Sequence, residues 1–103
     1  MNAITHAETL APPQAVLELL VNNHAGVMSH VVGLFSRRAY NVEAIVVLPV
    51  GDGSTSRIWL RVNEDKRLAQ MIKQLEKLED VRTVSHHGPS HAVFERLAEF
   101  ARE

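Results

Sequence analysis

Asn22-Asn23-His24-Ala25-Gly26-Val27-Met28 is the stretch whose reading decides the fold. Before it stands Ala15 to Val21, Ala-Val-Leu-Glu-Leu-Leu-Val, with Glu18 as its only charge. Such a short, nearly continuous apolar run suits a strand in the middle of a sheet. After it, Val27, Val31, Leu34 and Phe35 recur at helical spacing, and Met28 and Val32 widen the stripe. The stretch is therefore a polar turn leading from a strand into a helix. Free backbone N–H groups at a helix N-terminus make a ready site for a carboxylate. Gly26 has no Cβ and lets a ligand come close to the backbone. Nothing else in the chain reads as an active site, and no catalytic residue is assigned.

Working outward, the first helix ends near Arg37 and Arg38, where cations complement the macrodipole. Gly33 stands inside it at a cost of roughly 1 kcal/mol against Ala; close packing on a strand is the expected reason. A second strand follows over residues 41–50, then the turn cluster Gly51-Asp52-Gly53-Ser54-Thr55. From Ser56 to Val62 the pattern alternates: Ile58, Leu60 and Val62 face one way, Arg57, Trp59 and Arg61 the other. These two strands read as a hairpin. Asn63 or Asp65 is the expected cap of a second helix with Leu68, Met71, Ile72, Leu75 and Leu78 on its apolar side. Val81 to His86 is a last short strand, and Gly88-Pro89 breaks the chain. Ser90 is expected to cap a terminal helix bearing Val93, Phe94, Leu97, Phe100 and Ala101, which packs on its own domain or on a partner.

The order is β-α-β-β-α-β plus a C-terminal helix. It predicts an α+β, ferredoxin-like fold: two helices on one face of a four-stranded antiparallel sheet. The expected organisation is a mobile N-terminal arm over residues 1–14, a domain over 15–88 and a helical tail over 89–103.

The 103 residues suffice for one core. A formal net charge of −1 gives no electrostatic footprint for nucleic acid or for an anionic membrane. Cysteine is absent, which fits a reducing compartment. Met1 to Pro13 lacks the form of a secretory signal, and no apolar run approaches the ~18 residues of a membrane span. A cytoplasmic protein is expected, with no nucleic-acid or membrane partner. The hairpin Arg57-Ile58-Trp59-Leu60-Arg61 lacks the aromatic pairs of RNA-recognition modules. Among the six histidines, His86, His87 and His91 lie close together. Adjacent residues on a strand point to opposite faces, and no carboxylate or Cys completes a usual ligand set, so no metal site is expected. His24 and His30 have no nucleophile beside them.

Taken together, these motifs resemble the small regulatory subunits of acetohydroxyacid synthase (acetolactate synthase), in the short form with a single ACT domain. The resemblance covers about residues 15–87. Asn23-His24-Ala25-Gly26-Val27-Met28 looks like the family's asparagine-x-x-glycine loop. Gly33-Leu34-Phe35-Ser36-Arg37-Arg38-Ala39-Tyr40-Asn41-Val42-Glu43 looks like its first helix end and second strand. Leu75-Glu76-Lys77-Leu78-Glu79-Asp80-Val81 is similar to its second helix running into the last strand. The chain departs from many relatives at Ala25 and Ala39, where they place Pro and Gly. Neither change removes a hydrogen-bonding group.

The resemblance implies a homodimer through ACT domains, an amino-acid effector at the pair's interface, and valine as that effector. It places Asn23, His24, Ala25, Gly26, Val27 and Met28 around the effector, with Asn41 reaching it from the partner chain. It implies a non-catalytic subunit that inhibits and activates a separate catalytic subunit. Thiamine diphosphate, Mg2+ and FAD are then expected only in that catalytic partner, and no cofactor in this chain. The alternative is a free-standing amino-acid-sensing ACT module with a different client. A small acylphosphatase on the same fold would need a basic phosphate loop after the first strand, and residues 22–26 carry no Arg or Lys.

Overall fold

The computed structural model describes residues 13–102. The element order is β1 (Gln14–Asn22), α1 (Val27–Arg37), β2 (Val42–Val50), β3 (Thr55–Asn63), α2 (Leu68–Glu76), β4 (Val81–His87) and α3 (Ala92–Ala101). The strands form a single sheet of order β2-β3-β1-β4, and every neighbouring pair is antiparallel. This is the expected α+β, ferredoxin-like fold with a C-terminal helix. Residues 1–12 of the expected arm lie outside the described residues. Gln14, assigned to that arm from sequence, pairs with Asn63 at the start of β1, and the Pro13 carbonyl accepts the Glu64 N–H at 2.8 Å. Among the described residues no helix is long and apolar enough to cross a membrane.

The alternation read in β3 sets the layers. Ile58, Leu60 and Val62 stand opposite Leu19, Leu17 and Ala15 of β1. All six are fully buried, in one core with Val31, Leu34 and Phe35 of α1 and Leu68, Met71 and Leu75 of α2. β2 is an edge with little cover: Ile45, Val47 and Leu48 are 39%, 38% and 51% exposed. A register shift between Val42 and Ala44 leaves Glu43 as a bulge at its start, a common feature of sheet edges.

The opposite face of the sheet carries Arg57, Trp59 and Arg61, as expected, and α3 crosses it. The Arg61 guanidinium lies 5.2 Å from the Phe94 ring centre, and the Trp59 and His91 rings are 6.3 Å apart. Phe94 is buried, whereas Leu97 and Phe100 are 43% and 73% exposed. The terminal helix is thus anchored on its own domain by Phe94 and presents Leu97 and Phe100 outward.

Several local expectations are corrected. The α3 cap is His91, not Ser90: its Nδ1 accepts the Val93 N–H at 3.1 Å. Asp65 caps the turn ahead of α2, accepting the Arg67 N–H at 2.8 Å, and the helix itself begins after Arg67. No strand packs against Gly33. A Cβ there would meet only the Arg37 side chain, at 3.0 Å, and that flexible arm can move away.

Ala39 adopts φ 52° just after α1. The Tyr40 side chain fixes the chain beyond it, since its hydroxyl donates to the Asn63 carbonyl and its ring meets Phe35 edge-on at 5.7 Å. The left-handed conformation costs a non-glycine residue roughly 1–2 kcal/mol, while Gly loses about 0.5–1 kcal/mol more backbone entropy on folding. Ala39→Gly is therefore expected to stabilise the fold by about 0.5–1 kcal/mol and to raise the melting temperature by a few degrees. A lower melting temperature would contradict this.

Candidate functional site

The turn at residues 22–26 sits at one end of the sheet, where β1 ends, β2 ends and β3 begins: Asn22 and Val50 both pair with Thr55. Asn22 is clamped to the turn before β4. Its N–H donates to the Asp80 carbonyl at 2.8 Å, and its Oδ1 accepts from Arg82 Nε at 2.8 Å. Asn23 is clamped to the β2–β3 hairpin, its N–H donating to the Ser54 carbonyl at 2.9 Å and its Nδ2 to the Gly53 carbonyl at 2.8 Å. The Asn23 amide thus has a structural task, and its Oδ1 is the atom left to accept a hydrogen bond.

Gly26 is the N-cap of α1 at φ 90°, a conformation glycine adopts without strain. Glycine has no side chain to cap the helix, and no side-chain bond does so. The Val27 N–H reaches the His24 carbonyl at 3.3 Å and the His30 N–H the Gly26 carbonyl at 3.1 Å. Met28 and Ser29 occupy first-turn positions whose N–H groups lack intrahelical acceptors. A Cβ built on Gly26 meets nothing within 4 Å, so the approach is open. Exposed N–H donors at the positive end of α1 suit a carboxylate, and the free Asn23 Oδ1 suits an ammonium.

His24 has a partner that sequence reading missed. Its Nε2 lies 2.6 Å from Asp80 Oδ1, and its Nδ1 lies 2.8 Å from the Ala25 carbonyl. The hydrogen bond to the Ala25 carbonyl, then the Asp80 carboxylate, hold the imidazole above its ordinary 6.5. The His24 hydrogen bond in turn holds the Asp80 carboxyl below its ordinary 3.8. The signs differ. The His24 contribution is complete below about pH 6.5 and is lost as pH rises through the raised folded value. The Asp80 contribution is complete above about pH 3.8 and is lost as pH falls through the lowered value. The loop is held most firmly between them. The His24 ring is expected to titrate above 6.5 by NMR and to move back toward 6.5 in Asp80→Asn. A wild-type midpoint at or below 6.5 would refute the contact.

Asn41 does not meet the loop within one chain. It precedes Val42, which pairs with Val62 at the other end of the sheet. The length of α1, roughly 16 Å at 1.5 Å per residue, separates it from Gly26. Its Nδ2 donates to Glu43 Oε1 at 3.2 Å. Beside it, Val32, Phe35, Ala39, Tyr40 and Ile45 line a groove of about 490 Å3 between α1 and the β2 edge. The exposed β2 edge and this groove lie along the same side of the molecule.

Comparison with known proteins shows the family. A family model described as the AHAS small subunit-like ACT domain matches residues 17–83. The chain is 54% identical over 85 residues to the acetolactate synthase isozyme 1 small subunit of Escherichia coli (strain K12), covering 82% of this chain and 88% of that protein. It is 45% identical over 74 residues to the isozyme 3 small subunit of the same strain, covering 71% of this chain and 45% of that protein. Among solved structures, the acetolactate synthase small subunit from Thermotoga maritima superposes with a TM-score of 0.64 at 34% identity, over 71% of this chain and 46% of that one. A matching fold, the asparagine–glycine loop and these relatives lead to one conclusion: the chain belongs to the family of AHAS small subunit-like ACT domains.

Proposed function

We propose that this chain is a non-catalytic regulatory subunit of acetohydroxyacid synthase, and that it binds valine between two copies of itself. The observation that carries the valine reading is the placement of the loop and of Asn41 at opposite ends of the sheet, along a bare β2 edge. A two-fold axis beside that edge sets the two β2 strands antiparallel. Asn41 of one copy then lies at the end of the sheet where the loop of the other copy stands. The same pairing covers Ile45 and Val47, whose exposure leaves unpaired backbone and apolar surface at the edge. The effector's carboxylate lies on the first turn of α1. Its ammonium is shared between Asn23 Oδ1 and the second copy's Asn41.

Valine acts on the catalytic subunit only if it favours one state of the assembly over another. Thiamine diphosphate, Mg2+ and FAD are assigned to the catalytic partner, and the assembly to the cytoplasm. Leu97 and Phe100 on α3 are the apolar surface assigned to that partner. The test is reconstitution of acetolactate synthesis with the catalytic subunit, with and without valine. The chain should raise basal activity and confer valine inhibition; failure of both would overturn the reading. Phe100→Ser should leave valine binding unchanged and weaken association with the catalytic subunit by about 1–2 kcal/mol, the usual scale for losing an aromatic anchor. Unchanged association would remove α3 from the interface.

A further inference from the structure

Glu18 is the one charge in the apolar run of β1, and it lies on the sheet face crossed by α3. Three elements converge there. His87, the last residue of β4, places Nε2 2.8 Å from Glu18 Oε1. His91, immediately before α3, places Nε2 3.9 Å from the same oxygen. The two imidazole rings are 5.1 Å apart. One donor atom from each of the three residues falls within 4.8 Å of the others. Side-chain exposures are 18% for Glu18, 37% for His87 and 24% for His91, so the cluster is sheltered yet open to solvent on one side. The carboxylate that the sequence reading did not find for these histidines is Glu18, brought to them from β1 by the sheet register. His86 points to the other face, with its Nε2 3.6 Å from Glu64.

We propose that Glu18, His87 and His91 bind a divalent transition-metal ion of the Zn2+ type. Zn–N and Zn–O bonds of about 2.0–2.2 Å at tetrahedral angles put neighbouring ligand atoms roughly 3.3–3.5 Å apart. The two Glu18–His separations, 2.8 Å and 3.9 Å, bracket that span, and all three ligand atoms already lie within 4.8 Å of one another. Two imidazoles and one carboxylate select a borderline ion over Mg2+ or Ca2+. Arg57 holds the second carboxylate oxygen, Oε2, and so leaves Oε1 as a single-oxygen ligand. The nearby guanidinium cation lowers the affinity without blocking the position. Water takes the remaining coordination.

The ion is coupled to α3 through His91. Its Nδ1 accepts the Val93 N–H, so the neutral ring carries its proton on Nε2. Coordination at Nε2 moves the ring proton to Nδ1 and deprives Val93 of its acceptor. Metal capture therefore exchanges the α3 helix cap for a bond that ties the start of α3 to β1 and β4.

The test uses the full chain and variants chosen to keep the fold. His91→Asn retains a good N-cap and His87→Gln retains a hydrogen-bond donor to Glu18, while each removes an imidazole ligand. Calorimetric titration with Zn2+ should give one ion per chain, with affinity falling at least about tenfold in either variant and unchanged in His86→Ala. The single Trp of the chain, Trp59, has its ring 6.3 Å from that of His91. Its fluorescence should be quenched by the open-shell ion Ni2+ in the wild type and far less in both variants, with circular dichroism confirming that each variant is folded. Equal Zn2+ affinity in the wild type, His87→Gln and His91→Asn would overturn the assignment, as would absence of saturable binding at millimolar Zn2+.

Discussion

Valine at about 100 times its dissociation constant is expected to raise the melting temperature of this protein by roughly 10 °C or more. A ligand at that ratio stabilises the native state by about 2.7 kcal/mol per site. On a domain of this size, each kcal/mol moves the midpoint by roughly 4–8 °C. Leucine and isoleucine should shift it less. Lysine and glutamate should not shift it, because a charged side chain would have to enter an interface lined by apolar groups such as Ile45 and Val42. Differential scanning fluorimetry against each amino acid measures this directly. No shift with any branched-chain amino acid at millimolar concentration would sink the effector assignment.

Gly26→Asp is expected to abolish that stabilisation while leaving a folded protein. A Cβ added at Gly26 meets no heavy atom within 4 Å beyond its chain neighbours, so the start of the new side chain has room. At φ 90° the substitution carries backbone strain of about 1–2 kcal/mol, a cost a domain of ordinary stability survives. The carboxylate would stand before the same first-turn N–H groups assigned to the effector's carboxylate. It would both occupy the positive end of α1 and repel the ligand. Calorimetry should show valine affinity reduced at least about a hundredfold, equivalent to some 2.7 kcal/mol. Near-normal affinity would mean that the effector does not use the start of α1.

The fold was legible because its signals are periodic and local. Ile58, Leu60 and Val62 alternate along β3, and Val27, Val31 and Leu34 step along α1; both sets are buried as that spacing requires. Gly26 was also legible, since a strand-to-helix turn in this position calls for a residue free to adopt φ 90°. The contacts hidden from sequence reading are those that depend on register or on distant partners. Glu18 and His87 are 69 positions apart and meet because Val16 pairs with His87 across β1 and β4. His24 finds Asp80 because the turn before β4 lies against the end of β1. Asn23 reaches Gly53 across the top of the sheet. A slip of one residue between β1 and β4 would turn His87 to the other face from Glu18, and the His24 and Asn23 contacts depend on which turns the fold brings to the end of β1; no local pattern fixes either. The α3 cap was misplaced for a different reason. Ser90 is a common cap type, whereas the capping acceptor here is an imidazole nitrogen.

The central claim is that one valine site is shared by two chains, with the loop from one and Asn41 from the other. Subunit complementation tests it most directly. Gly26→Asp and a variant such as Asn41→Leu, which has no acceptor for the ammonium, should each bind no valine alone. Mixed and allowed to exchange, they should recover about a quarter of the wild-type valine capacity. Half of the randomly re-paired dimers are then hybrids, and each hybrid holds one site with both parts intact. Recovery of about a quarter, at wild-type affinity, is the result this account predicts. No recovery from dimers shown by sedimentation to have exchanged subunits would place the loop and Asn41 in separate roles and contradict it.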